Sequence, residues 1–246
     1  MAFTFDYDNR YVVFLDILGF KDKIAKIDIN QALFELLIEL PQIVAENLDM
    51  ANRTFGSAVD AQGTAFSDSI VISASASAPM TALYTVVNTT VTLCQKLLHR
   101  RATARGGLAK GPCHHRNSVV FGQGMIDAYL LEQSAAKTPR VVVAPDIAKD
   151  WLDAFGRPGG LVALGDLITR DTDNIDYIDI FIFLNMTRST TQPWPSSKES
   201  GPNIRAMLDE PGIGNREREK KLWVATKYNA AGLLKRLSLP RINTLS

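Results

Sequence analysis

Residues 11–17 read Tyr-Val-Val-Phe-Leu-Asp-Ile, a continuous apolar run of β-branched and aromatic side chains interrupted only by Asp16 near its end. The run does not alternate with polar residues, so it predicts a strand covered on both faces. Such a strand demands a layered α/β architecture and carries Asp16 out to the rim of its sheet. Gly19 breaks the run.

The segments that follow fall into order around this strand. Residues 31–50 place Leu33, Leu36, Leu37, Leu40, Ile43 and Val44 at helical spacing, and Pro41 is expected to bend or divide that helix. Residues 63–73 read as a hairpin with the polar tip Ser67-Asp68-Ser69. A helix over 80–100 precedes a strand over 103–109, ended by Gly111-Pro112, and a short strand over 119–121. A helix over 125–136, a strand over 140–144, a helix over 145–155 and strands over 161–168 and 177–184 complete the set. The order β-α-β-β-α-β predicts an α/β (α+β) fold with a ferredoxin-like, mainly antiparallel sheet. At Thr187 the composition shifts to Ser, Thr, Pro, Asn and Gly. Residues 1–186 are therefore expected to form one domain. Residues 187–246 follow as an irregular stretch to 214 and a charged helix over 216–237, packed on that domain.

Composition narrows the class. In 246 residues, 27 Lys and Arg face 26 Asp and Glu, a formal net charge of +1. No overall field marks a nucleic-acid or anionic-membrane binder. No apolar run approaches the roughly 20 residues of a membrane span. Two cysteines without a C-x-x-C spacing argue against a zinc site or a disulfide framework. The polar, acidic start is unlike a signal peptide, and a cytoplasmic location is expected.

In a ferredoxin-like sheet the first and third strands are neighbours, so Asp16 and Asp68 converge at one end. Two carboxylates beside backbone carbonyls make a hard-oxygen site for magnesium or manganese. A pair of such ions about 3.5–4 Å apart supports in-line phosphoryl displacement. Gly19 would let the backbone approach phosphate oxygens, with the Leu18 and Phe20 amides aimed at them. On spacing alone, a helix cap at Asp16 and a turn residue at Asp68 fit equally well.

Three segments together resemble the class III nucleotide cyclase homology domain: Phe14-Leu15-Asp16-Ile17-Leu18-Gly19-Phe20, Phe66-Ser67-Asp68-Ser69-Ile70, and Arg105 to Pro112 followed by Phe121-Gly122 and a helix reaching Leu131-Glu132. The likeness spans about residues 10–185. It implies a homodimer with active sites at the interface and a nucleoside triphosphate as substrate. Two Mn2+ or Mg2+ ions would sit on Asp16, Asp68 and the Ile17 carbonyl. Nucleotide contacts would come from Phe14, Leu18, Gly19, Phe20, Thr64 and Val119.

The departures are informative. The helix positions that carry Asn and Arg in that family are Ile126 and Leu130 here. Candidate replacement cations are Lys110, His114, His115, Arg116, Arg100, Arg101 and Arg105, with Arg105 assigned the catalytic role. The purine-selecting positions are Thr64 and Val119, which lack both the adenine and the guanine code. These features, with Lys221-Leu222-Trp223 and Lys227-Tyr228-Asn229 in the tail, resemble the bacterial Pycsar pyrimidine cyclases. That resemblance implies a cyclic UMP or, second, cyclic CMP signal in anti-phage defence, read by a separately encoded effector. A catalytically inactive cyclase-like binding or dimerisation module is the alternative. A diguanylate cyclase ranks lower, because its Gly-Gly-Asp/Glu-Glu-Phe signature is absent.

Overall fold

The computed structural model describes residues 7–25, 27–156, 162–181, 197–210, 214–234 and 242. Strand β1 (Asp8–Ile17) lies between β3 (Ser69–Ser75) and β4 (Ala104–Arg116), antiparallel to both. With β2 (Gln62–Phe66), β6 (Val141–Val143), β7 (Ile168–Arg170) and β8 (Asp176–Ile178), the sheet order is β2-β3-β1-β4-β6-β8-β7. Strand β5 (Val119–Phe121) pairs only with the end of β4. The β4–β6 pair is parallel and the other pairs are antiparallel. The expected mixed fold and βαββαβ order are present.

The central strand is buried on both faces, as its composition requires. Tyr11, Val13, Leu15 and Ile17 enter a large core with α2 (Gln31–Phe55), α3 (Pro79–His99) and α5 (Pro145–Phe155). Val12 and Phe14 face the other way, toward α4 (Gln123–Ala135). There α4 lies almost directly on the β4 backbone. A Cβ added at Gly107 would sit 2.2 Å from the Ala128 carbonyl oxygen, and one at Gly111 would sit 3.0 Å from Gly124. Two glycines four apart on the strand thus receive Gly124, Ala128 and Glu132, four apart on the helix.

Several local expectations are corrected. Helix α2 runs unbroken through Pro41, which is exposed, while Leu33, Leu36, Leu40, Ile43, Val44 and Leu48 hold the opposite side in the core. Strand β4 continues past Gly111-Pro112. Strand β6 flanks it only at 106–108, so Pro112 lies beyond that paired edge, where a missing N–H is tolerated. Residues 161–168 are not one strand: a helical turn, α6 (Val162–Gly165), precedes β7. Trp151 Nε1 donates to the Leu164 carbonyl at 3.0 Å and helps hold that turn. Strand β8 ends at Ile178, and residues 182–184 of the expected strand lie outside the described residues.

The stretch expected to be irregular contains α7 (Ser197–Leu208), although residues 187–196 lie outside the described residues. Its Ser, Gly and Pro content masks Ile204, Met207 and Leu208, which pack with Leu98, Phe181 and Tyr228. Helix α8 (Asn215–Leu234) joins the same cluster. It is tied to the sheet by Asp171, whose carboxylate accepts from Lys227 Nζ at 2.5 Å, Trp223 Nε1 at 3.2 Å and Arg140 at 2.8 Å. Burial works against the charged form of Asp171, but Lys227, the Thr172 amide and Arg140 prevail and hold its pKa at about 2.

Candidate active site at the end of the first strand

Asp16 pairs across the sheet with Ser69 on one side and Arg105 on the other. The next residue closes the geometry: the Ile17 amide donates to the backbone carbonyl of Asp68 at 2.9 Å. That bond fastens the β2–β3 turn, in which Ser67 takes a left-handed φ of 56°, onto the end of β1. The two acids are thereby brought together. Burial raises the Asp16 pKa first of all; Arg105 opposes the rise, the Asp68 charge adds to it, and the net shift is upward.

A third carboxylate completes the group. Glu132 on α4 has a fully buried side chain, and its Oε1 lies 2.5 Å from Arg105 Nε. The same nitrogen is 3.3 Å from Asp16 Oδ2. The Glu132 contact is a close ion pair whose alignment falls short of a hydrogen bond. The second Glu132 oxygen accepts from Gln133 Nε2 at 2.6 Å. Burial raises the Glu132 pKa against the pull of Arg105. Arg105 is therefore held between two acids, one at the rim and one in the interior.

The role of Glu132 was not read from the sequence. The spacing Gly124, Ala128, Glu132 carries the signal, because it puts a lone acid on the small-residue face of a helix. Lys220 on α8 was also missed; its charge acts on Asp16, from far along the chain.

The turn after β1 matches expectation in part. Gly19 has φ 69° and caps α1 (Phe20–Ile24), a left-handed conformation that favours glycine. The Leu18 amide, however, donates to the Thr103 carbonyl at 2.8 Å, so it is not aimed at a ligand. Phe20 opens α1, where first-turn amides lack an intrahelical acceptor. Phe14 lies two residues below Asp16 on the same face, with its ring edge-on to Tyr129 at 5.4 Å between centroids.

Thr64 belongs to a separate polar network on the same face of the sheet. Its Oγ1 is 3.0 Å from His115 Nε2, and His115 Nδ1 is 2.9 Å from Ser73 Oγ. That hydroxyl accepts from Arg10 Nε at 2.9 Å. The end of β4 thus leans across β1 to reach β3 and β2. Val119, the other base-reading candidate, stands exposed on β5 opposite Arg116.

The cation candidates separate clearly. Burial, with Arg10 and Arg116 nearby, pushes the His115 pKa down to about 4, so the ring is neutral at pH 7. Lys110 points to the opposite face, over the Tyr11 ring and 3.6 Å from Asp150. Arg100 pairs with Glu35 and Glu39, Arg116 pairs with Asp60, and His114 stacks on Phe121. Only Arg105 of these stands beside Asp16. Ile126 and Leu130 are exposed, at 49% and 53%.

The neutral His115 makes a pH prediction. Its folded pKa lies below the unfolded value of about 6.5, so the unfolded chain binds more protons between pH 6.5 and 4, and stability falls as pH drops through that window. The lost contribution reaches up to about 3 kcal/mol at full protonation. In denaturation at pH 7 and pH 5, His115→Gln is expected to show a smaller pH difference than the parent chain. Equal differences would remove His115 from this account.

The donor types at the end of β1 suit a hard divalent cation: two carboxylates within electrostatic reach of each other, one destabilised in its charged form, on a strand end with backbone oxygens. No group of three or more His, Cys, Asp or Glu side chains arranged for a metal occurs among the described residues. Among those residues no helix is long and apolar enough to cross a membrane.

No protein-family model and no curated protein matches the chain. Solved structures do. The adenylyl cyclase CyaB from P. aeruginosa aligns with a TM-score of 0.48 and 14% identity, covering 70% of this chain and 93% of that one. A bacterial light-regulated adenylyl cyclase gives 0.44 and 14%, over 59% of this chain and 80% of that one. The guanylyl cyclase Cya2 gives 0.35 and 11%, over 71% and 93%. At these levels the chemistry must come from the chain's own residues.

Proposed function

We propose that the chain is a divalent-metal-dependent nucleotide cyclase that converts a pyrimidine nucleoside triphosphate, UTP in preference to CTP, to its 3′,5′-cyclic monophosphate and pyrophosphate. The observation that carries this reading is the convergence of Asp16 and Asp68 at the end of the central strand, beside the left-handed Gly19 turn. Asp16, Asp68 and the Ile17 carbonyl would hold Mn2+ or Mg2+, which when bound lowers the pKa of the attacking 3′-hydroxyl and offsets charge on the phosphates.

The chain's own groups do the rest. Arg105, seated against Glu132, fixes the orientation of Asp16 and places a positive charge next to it. Thr64, whose hydroxyl is held by the buried, neutral His115, offers a base one short, uncharged hydrogen-bonding group, where a purine code would require other side chains. Residues 1–186 would form the catalytic domain, and α7 and α8 would brace it through the Leu98 cluster. A homodimer is supported by exposed apolar side chains on the hairpins and α4: Phe66 (79% exposed), Phe121, Ile126, Tyr129 and Leu130. The resemblance of the sequence to Pycsar cyclases extends this reading to a cytoplasmic anti-phage signal acting on a separately encoded effector.

The test is direct. The purified full chain, with manganese and each of the four ribonucleoside triphosphates, is expected to yield one cyclic pyrimidine monophosphate and pyrophosphate by chromatography. Sedimentation of the same sample is expected to show a dimer. A folded dimer that forms no cyclic product from any of the four would refute the cyclase. That outcome would favour a binding module, the reading to which the aliphatic Ile126 and Leu130 point.

A further inference from the structure

A cavity of about 360 Å³ opens beside the acids, between the Leu18-Gly19 turn, Thr103 and the first half of α8. Its walls carry five basic side chains, Lys23, Arg101, Arg216, Lys220 and Lys221, against two acids, Asp22 and Glu217. The basic groups are not equally engaged. Lys221 is paired with Glu210 at 2.8 Å and Glu217 at 3.1 Å. Lys220, one residue earlier, is half-buried and makes no ion pair within 4 Å among the described residues.

The electrostatics around Lys220 are unfavourable as they stand. Burial lowers its pKa, and the like charges of Arg105 and Arg216 push the same way, outweighing Glu217 and Asp16. Arg216 and the partly desolvated Lys220 line the α8 wall of a cavity that Lys23 and Arg101 also line, and this surplus of cations suits a multiply charged anion. The arrangement is held from a distance: the later turns of α8 are clamped to Asp171 by Lys227 and Trp223. Lys220 is thus presented to the cavity by an anchored helix rather than by a loose tail.

We propose that α8 closes a polyphosphate-binding cavity over the turn that follows β1, with Lys220 and Arg216 supplying the cations that receive the terminal phosphates. Helix α8 is thereby a working part of the site, contributed within the same chain. This inference rests on the cyclase reading for the identity of the ligand, a nucleoside triphosphate, but the anion site itself is open to test without turnover.

The experiment is titration calorimetry of the full chain with inorganic tripolyphosphate in EDTA, so that the two aspartates contribute no metal-mediated binding. The parent chain is expected to bind, Lys220→Gln to bind roughly tenfold more weakly, and Lys220→Arg to retain most of the affinity. Lys149→Gln, on the exposed side of α5, removes the same charge elsewhere and is expected to bind as the parent does. UTP and UMP, titrated in parallel, separate recognition of the phosphate chain from that of the nucleoside: only UTP is expected to compete with tripolyphosphate. In turnover assays Lys220→Gln is expected to raise KM with a smaller effect on kcat. A parent chain that ignores tripolyphosphate, or a folded Lys220→Gln that binds it normally, would overturn the site. Binding that depends on Lys220 but accompanies no cyclisation of any nucleotide would keep the site and overturn the cyclase instead.

Discussion

Asp16→Ala is expected to abolish cyclic-nucleotide formation, by at least about 10³-fold, while the folded dimer persists. On the proposed mechanism Asp16 would be a ligand to the cation that activates the hydroxyl, and its loss would remove several kcal/mol of transition-state stabilisation. The cost in stability is small by comparison. Asp16 is partly exposed, with 23% of its side-chain surface accessible, and its raised pKa means that the folded state already disfavours its charge. Removing it leaves Arg105 with Glu132, so no cation is stranded. Asp68→Ala is expected to act alike, because the Ile17 amide binds the Asp68 backbone carbonyl rather than its side chain. The measurement is a rate in manganese alongside a melting curve and sedimentation for each variant. Near-parental rates in either folded variant would mean that the metal site lies elsewhere.

The second large effect concerns the fold beneath the site. Gly107→Ala is expected to destabilise the chain by about 3 kcal/mol or more, beyond the usual range for an added methyl group. The added carbon meets backbone: the Ala128 carbonyl at 2.2 Å and the Glu132 amide at 2.9 Å, neither of which can rotate away. Relief requires lifting α4 off β4, which also withdraws Glu132 from Arg105. Gly214→Ala is the control, since an added carbon there has no neighbour within 4 Å, and it is expected to shift stability by less than about 0.5 kcal/mol. Denaturant midpoints measure both. A Gly107→Ala variant as stable as the Gly214→Ala control would show that α4 is not seated on the strand in this way.

These two variants separate what pattern reveals from what packing decides. The run 11–17, its two-sided burial and the βαββαβ order were legible because apolar periodicity is a local property of the chain. The convergence of Asp16 with Asp68 followed from that order, since a split βαβ sheet makes the first and third strands neighbours. Where apolar runs were short, as at 161–168, periodicity did not distinguish a helical turn from a strand. Where Ser, Gly and Pro dominated, as before α7, composition hid a helix that Ile204, Met207 and Leu208 stabilise by burial.

The ionisation of the site belongs to the tertiary structure alone. Arg105, His115 and Lys110 are similar basic residues within one stretch of sequence. Packing makes the first an ion-pair hub, the second a neutral hydrogen-bonding ring and the third a surface cation on the opposite face. The sequence by itself determined the strand, its acid and the acid's partner across the hairpin. Only the tertiary structure decided which charges surround them, bringing Glu132 from α4 and Lys220 from α8. The physical reason is that a side chain's charge depends on its desolvation and on neighbours distant along the chain, and neither exists until the sheet and helices have packed.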